Sequence, residues 1–144
     1  MSMTPRAKPM ALRPIGHVKS RYGDTFTIPL AGSRAHIIIE RKYLRALHGI
    51  KDHSHLFVIC WLHLADTEGY RKVLRVRPVR VAPDLPEQGV FASRIPMRPN
   101  PLPRSVVRLL RVRGNVLTVE GMDTIDGTPV IDIKPYSPVS DSHP

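Results

Sequence analysis

One cysteine, Cys60, in 144 residues leaves no intrachain disulfide, and no site that needs several thiolates can form. Long apolar runs are missing too. The longest, Leu56 to Leu62, is seven residues against the roughly 20 that a spanning helix needs. The N-terminus Met-Ser-Met-Thr-Pro-Arg-Ala-Lys-Pro is basic, with no apolar stretch and small-residue cleavage site behind it, so no secretion signal is read and cytosol is the expected compartment. Acidic side chains are scarce, 12 against 22 Lys and Arg, which leaves a net charge of +10 and argues for a polyanionic partner. No G-x-G-x-x-G or G-x-x-x-x-G-K-[ST] spacing occurs, which removes support for a Rossmann nucleotide fold or a P-loop.

What is present is a basic body with an acidic end. Residues 1–119 carry 21 basic and 7 acidic side chains, residues 120–144 one and five. Hydrophobic residues make up 42% and are spread along the chain, which excludes a wholly disordered basic tail and fits one domain of ordinary size. Fifteen prolines and nine glycines interrupt the chain too often for long helices and favour short strands joined by turns.

Residues 1–12 read as a mobile basic arm, 13–138 as the domain and 139–144 as a tail. Strands are expected near Arg13 to Lys19, His36 to Glu40, Leu56 to Leu64, Val73 to Arg77, Ser105 to Arg111, Val116 to Glu120 and Val130 to Ile133. Arg113-Gly114-Asn115 suits a hairpin turn. The one expected helix is Lys42 to His48, stopped by Gly49. Residues 78–104 hold seven prolines and read as a stiff, shaped loop.

A period of two places Leu56, Val58, Cys60, Leu62 and Leu64 on a core face. His55, Phe57, Ile59, Trp61 and His63 fall on the other, which faces a pocket, a partner subunit or a less apolar core. Cys60 among apolar neighbours reads as a small hydrophobe, not a nucleophile. His55 and His63 lie about 26 Å apart along such a strand, too far to share a metal, and none is expected.

The arginines fall in three stretches. Arg71 to Arg80 alternates charge with Val, which puts Arg75 and Arg77 on one face. Arg108, Arg111 and Arg113 form a second row, and Arg94, Arg98 and Arg104 line the proline loop. A strand with arginines on one side can lie along a phosphate backbone, although a solvated surface is the plainer role for any one of them. Prolines fix the backbone around Arg94, Arg98 and Asn100, a preorganised donor set for a carboxylate, a phosphate or a base edge. Asp126-Gly127 marks a tight turn whose carboxylate is either exposed at a site or caps the turn itself.

In combination the motifs become specific. Pro14-Ile-Gly-His-Val-Lys-Ser20, Asp52-His-Ser-His55 running on to His63, Gly89-Val-Phe-Ala-Ser-Arg94, Arg98-Pro-Asn-Pro101 and Asp123-Thr-Ile-Asp-Gly-Thr-Pro-Val-Ile-Asp-Ile-Lys-Pro-Tyr136 occur in order. Over residues 13–138 the chain resembles the TrmO family of tRNA adenine N6-methyltransferases. The resemblance implies a small single-domain antiparallel β-barrel, not a Rossmann fold, that binds S-adenosylmethionine at or near a homodimer interface and methylates N6 of threonylcarbamoyladenosine beside a tRNA anticodon. Cofactor contacts would come from Ser20, Arg21, Tyr22, Ser54, His55, Arg94, Arg104, Ile125, Asp126, Gly127 and Thr128. Combined with the residue chemistry, it makes Asp126 and His55 the candidate proton acceptors, gives Tyr136 and Arg98 the task of orienting the threonyl carboxylate or a phosphate, and puts Asn100, Arg75 and Arg77 on the substrate. Where the family usually reads Asn-Pro-Ile-Gly-Leu-Ser, this chain reads Asn100-Pro-Leu-Pro-Arg104-Ser105, which adds a basic group. A barrel acting on another substrate and a non-catalytic RNA-binding barrel are the rival readings.

Overall fold

A computed structural model describes residues 8–77 and 83–142. Residues 1–7 of the expected arm, Arg80 and the last two residues of the expected tail lie outside the described residues. Six strands close an antiparallel barrel: β1 (Gly16–Lys19), β2 (Ser33–Ile39), β3 (His55–Cys60), β6 (Arg104–Arg113), β7 (Val116–Met122) and β8 (Pro129–Pro135), in the order β1-β2-β7-β6-β3-β8. Strands β4 (Arg75–Val76) and β5 (Gln88–Gly89) form a separate two-stranded ribbon. The helices are short, α1 (Glu68–Arg71) and α2 (Pro138–Asp141).

Alternation builds the core. Along β3 the buried positions are Leu56, Val58 and Cys60, each with no exposed surface, and they meet Val18, Ile37, Val107, Leu117, Val119 and Val130 from the other staves. Each such side chain contributes about 1.5–3 kcal/mol by leaving water. The expected turn is present: Gly114 has φ 58°, and Asn115 is tied to β2 by its Nδ2 donating to the Ile39 carbonyl at 2.8 Å.

Three expectations are corrected. The strand drawn to Leu64 ends at Cys60, because the Trp61 and Leu62 N–H groups donate to the Pro129 and Pro101 carbonyls and the chain then coils into a 3-10 turn, His63–Ala65. Leu62 is therefore only half-buried and Leu64 is 65% exposed, outside the core face assigned to them. The helix after Lys42 is a 3-10 run, Arg41–Leu47, with Gly49 at φ 85° where the stop was expected. The proline loop is interrupted by β5 and a 3-10 turn, Val90–Ala92.

The antiparallel order gathers loops at one rim, where β1, β3 and β7 end and β2, β6 and β8 begin. The opposite rim carries the start of β3, the end of β8 and the β6–β7 hairpin.

Candidate active site

At the loop rim, two segments more than a hundred residues apart are laced together. The Ser20 N–H donates to Asp126 Oδ1 at 2.9 Å, the Asp126 N–H to the Tyr22 carbonyl at 2.7 Å and the Gly127 N–H to the Val18 carbonyl at 2.8 Å. Gly127 at φ 83° makes the turn that allows this, and the buried Thr128 hydroxyl closes it on the Ile125 carbonyl at 2.7 Å. Arg21 lies over Tyr22, its guanidinium carbon 5.2 Å from the ring centroid. Ser20, Arg21, Tyr22 and Ile125 to Thr128 thus form one constellation, with the Asp126 side chain exposed.

Beside it, the proline loop and the start of β6 enclose a cavity of about 490 Å³ lined by Leu62, Arg94, Arg98, Asn100, Arg104 and Asp123, among others. Not every polar group there faces the opening. Arg98 is half-buried and donates from Nη1 to the Ser93 and Ile95 carbonyls at 2.9 and 3.3 Å, holding its own loop. Asn100 Oδ1 accepts from Arg71 Nη2 at 3.1 Å.

Arg71 is a residue that sequence reasoning missed as a site element. Its Nε donates to the Pro99 carbonyl at 2.7 Å, its Nη1 to Asp66 Oδ1 at 3.1 Å, and its guanidinium carbon lies 5.3 Å from the Trp61 ring centroid. Trp61 Nε1 donates to the other Asp66 oxygen at 3.2 Å, which completes a clasp on the loop. The legible signal was Thr67, which caps α1 by accepting from the Tyr70 N–H. That the helix would carry Arg71 to a loop 28 residues on was not legible.

Under the cavity, Ser105 Oγ donates to Asp123 Oδ1. Cys60 is fully buried next to them, and its thiol is pushed from the ordinary 9.0 up to about 12, mainly by burial. The Thr124 hydroxyl pulls the other way, and the Asp123 carboxylate adds to the rise. Such a thiol is inert at neutral pH, in line with its reading as a small hydrophobe.

His55, Ser54 and Tyr136 are not at this rim. His55 and Cys60 are five steps apart along β3, about 16 Å. There Ser54 Oγ lies 2.9 Å from His55 Nδ1, and the Tyr136 ring stands edge-on to His55 and Phe57 at 6.3 and 5.6 Å. Arg104 bridges the two regions, its guanidinium carbon 4.6 Å from the Phe57 centroid. Arg75 and Arg77 sit outside the barrel at the β4–β5 ribbon, Arg75 paired with Glu87 at 3.1 Å and Arg77 exposed. Among the described residues, no three His, Cys, Asp or Glu side chains come together as a metal site, and no helix is long and apolar enough to cross a membrane.

One exposed carboxylate, Asp123, with arginines and half-buried apolar groups around one cavity suits a ligand that is part cationic, part anionic and part apolar. A family model described as the tRNA-methyltransferase O N-terminal domain matches residues 17–142. A probable S-adenosyl-L-methionine-binding protein of Methanothermobacter thermautotrophicus is 44% identical over 131 residues, 87% of this chain and 88% of that protein. The tRNA (adenine(37)-N6)-methyltransferase of Escherichia coli is 35% identical over 90% of this chain and 59% of its own length. Among solved structures, a crystal structure of TrmO aligns with a TM-score of 0.74 at 33% identity, over 94% of this chain and 61% of the other. TrmO from Pseudomonas aeruginosa aligns at 0.74 and 31%, over 94% and 60%. The chain thus spans about three fifths of these solved proteins and nearly nine tenths of the archaeal relative.

Proposed function

Because the chain belongs to the tRNA-methyltransferase O family, we propose that it moves a methyl group from S-adenosylmethionine to N6 of the threonylcarbamoyladenosine beside a tRNA anticodon, as a cytoplasmic homodimer. The observation that carries this reading is the lacing of Ser20 to Tyr22 onto Ile125 to Thr128 beside the arginine-lined cavity.

The residues fit such a cofactor. Asp123 and Asp126 would face its cationic parts, Arg94 and Arg104 its carboxylate, and Leu62 and Ile95 its apolar surface. Bound there, S-adenosylmethionine supplies the methyl group as an electrophile. Transfer to an exocyclic nitrogen then needs alignment and a place for the departing proton, not a covalent nucleophile. Asp126 keeps one carboxylate oxygen on the Ser20 N–H and accepts the N6 proton on the other. Arg98 and Asn100 hold the loop against which the nucleotide rests, and Arg75 and Arg77 meet the RNA further out.

His55 and Tyr136 stand too far along the barrel wall to reach Asp126 of the same chain. A homodimer resolves this, with a second copy bringing its Ser54, His55 and Tyr136 end to the loop rim. The test is transfer of label from S-adenosylmethionine to tRNA carrying the threonylcarbamoyl group. Folded, cofactor-binding protein that incorporates no label overturns the proposal.

A further inference from the structure

The outer wall formed by β6, β7, β2 and β1 is rich in exposed cations, the other exposed side chains on it being His17, His36, Val106 and Glu120. Arg104, Arg108, Arg111 and Arg113 are all exposed along β6, a row of about 30 Å that is kept on one face by a bulge between Leu109 and Arg111. Arg111 stands opposite Thr118, Thr118 opposite His36 and His36 opposite Lys19, so a polar row links the cations Arg111 and Lys19 across three strand spacings, about 14 Å. The row is fixed in the middle by a 3.1 Å hydrogen bond between His36 Nδ1 and Thr118 Oγ1. Arg34 adds a further exposed cation on β2.

Glu120 is the one exposed acid on these four strands. It stands opposite Arg108 in register, yet none of these arginines, nor Lys19, has a carboxylate within ion-pair distance among the described residues. Elsewhere Lys42, Arg71, Lys72 and Arg75 are paired with an acid while the exposed Arg41, Arg45 and Lys51 are not, so what sets the wall apart is the regular spacing of its cations along one strand. Cations left unpaired at strand spacing along a wall are the electrostatic footprint of a phosphate backbone. The row also begins at the cavity, which Arg104 lines.

We propose that this wall is the RNA-docking surface: nucleotides flanking the target base run from the cavity along β6, and the backbone spreads over Thr118, His36 and Lys19. The proposal rests on the methyltransferase reading for the base that enters the cavity. It moves the main RNA contact away from Arg75, on the β4–β5 ribbon, and from Arg77, which follows that strand.

The test compares the wild-type chain, an Arg108→Glu/Arg111→Glu/Arg113→Glu triple variant and an Arg75→Glu/Arg77→Glu double variant. Each is titrated with a tRNA transcript over a series of salt concentrations, with calorimetry against S-adenosylmethionine and solution mass as controls. The triple variant is expected to bind tRNA at least about ten-fold more weakly, with its log–log salt slope reduced by about two for three lost phosphate contacts. Its cofactor binding and mass stay unchanged, and the ribbon variant loses less. Unchanged affinity and slope in the triple variant overturn the proposal, and so does a loss that comes with altered mass, since the wall is then an interface between copies. Wall-dependent tRNA binding together with no label transfer to tRNA carrying the threonylcarbamoyl group overturns the enzymatic reading instead and leaves the docking surface standing.

Discussion

The Asp126 carboxylate and the Ser20 backbone N–H meet at 2.9 Å across 106 residues of sequence, which makes the proposed proton acceptor also the clasp of the proposed cofactor loop. The two duties separate by substitution. Asp126→Ala removes the acceptor and is expected to weaken S-adenosylmethionine binding about ten-fold, the equivalent of one hydrogen bond near 1.4 kcal/mol. Asp126→Asn keeps an oxygen for Ser20, so calorimetry should find near-normal affinity while turnover falls. Equal loss of affinity in both variants would refute the division of labour.

Arg71 holds the proline loop without lining the cavity. Arg71→Ala should lower the melting temperature by about 3 °C or more, from the loss of its hydrogen bonds and the Trp61 contact. It should also raise KM more than it lowers kcat. Arg71→Lys restores charge but not the fork, and is expected to recover only part of either quantity. A kcat collapse at unchanged KM would instead place Arg71 in the chemistry.

The Cys60 thiol, at about 12 against an ordinary 9.0, gives a pH dependence with a definite sign. Below pH 9 both folded and unfolded chains hold the proton and nothing changes. Between about pH 9 and 12 the unfolded chain loses it first, so stability falls by up to about 1.4 kcal/mol per pH unit. Cys60→Ala should flatten that alkaline decline in denaturant titrations. At pH 8 a disulfide reagent should label the native protein hardly at all and the unfolded protein promptly.

Gly16 is packed against β2 so closely that a Cβ would run into the Ile38 carbonyl. Backbone cannot yield there as a side chain would. Gly16→Ala is therefore expected to cost several kcal/mol, on the order of the largest single-site effects, and to be read as a large drop in melting temperature. Gly69→Ala, with open space around it, serves as the neutral comparison.

Local chemistry made much of the barrel legible. The alternation from Leu56 to Cys60, the Gly114-Asn115 turn and the Asp126-Gly127 turn each rest on residues within a few positions of one another. What failed depended on partners far away. Leu62 and Leu64 continue the apolar period, and only the carbonyls of Pro129 and Pro101 end the strand before them. Arg71 looked like part of a surface charge run because its partners, Pro99 and Asn100, lie beyond a proline-rich stretch. The separation of His55 from Asp126 was hidden for the same reason: motifs that a family keeps together in order need not be neighbours on one chain.

The barrel closes where β1 meets β8, and that seam is short: two register pairs, Gly16 with Val130 and His17 with Pro129, against five between β6 and β7. The β6–β7 hairpin is local and can form early, whereas the seam joins residues more than a hundred positions apart and has to form late. Amides at the seam, those of Ile15, Val18 and Gly127, should consequently exchange with solvent through smaller openings than those of β6 and β7. Since Gly127 also belongs to the proposed cofactor loop, a bound ligand would slow exchange there first, and the last stave to fold would be the first to report occupancy.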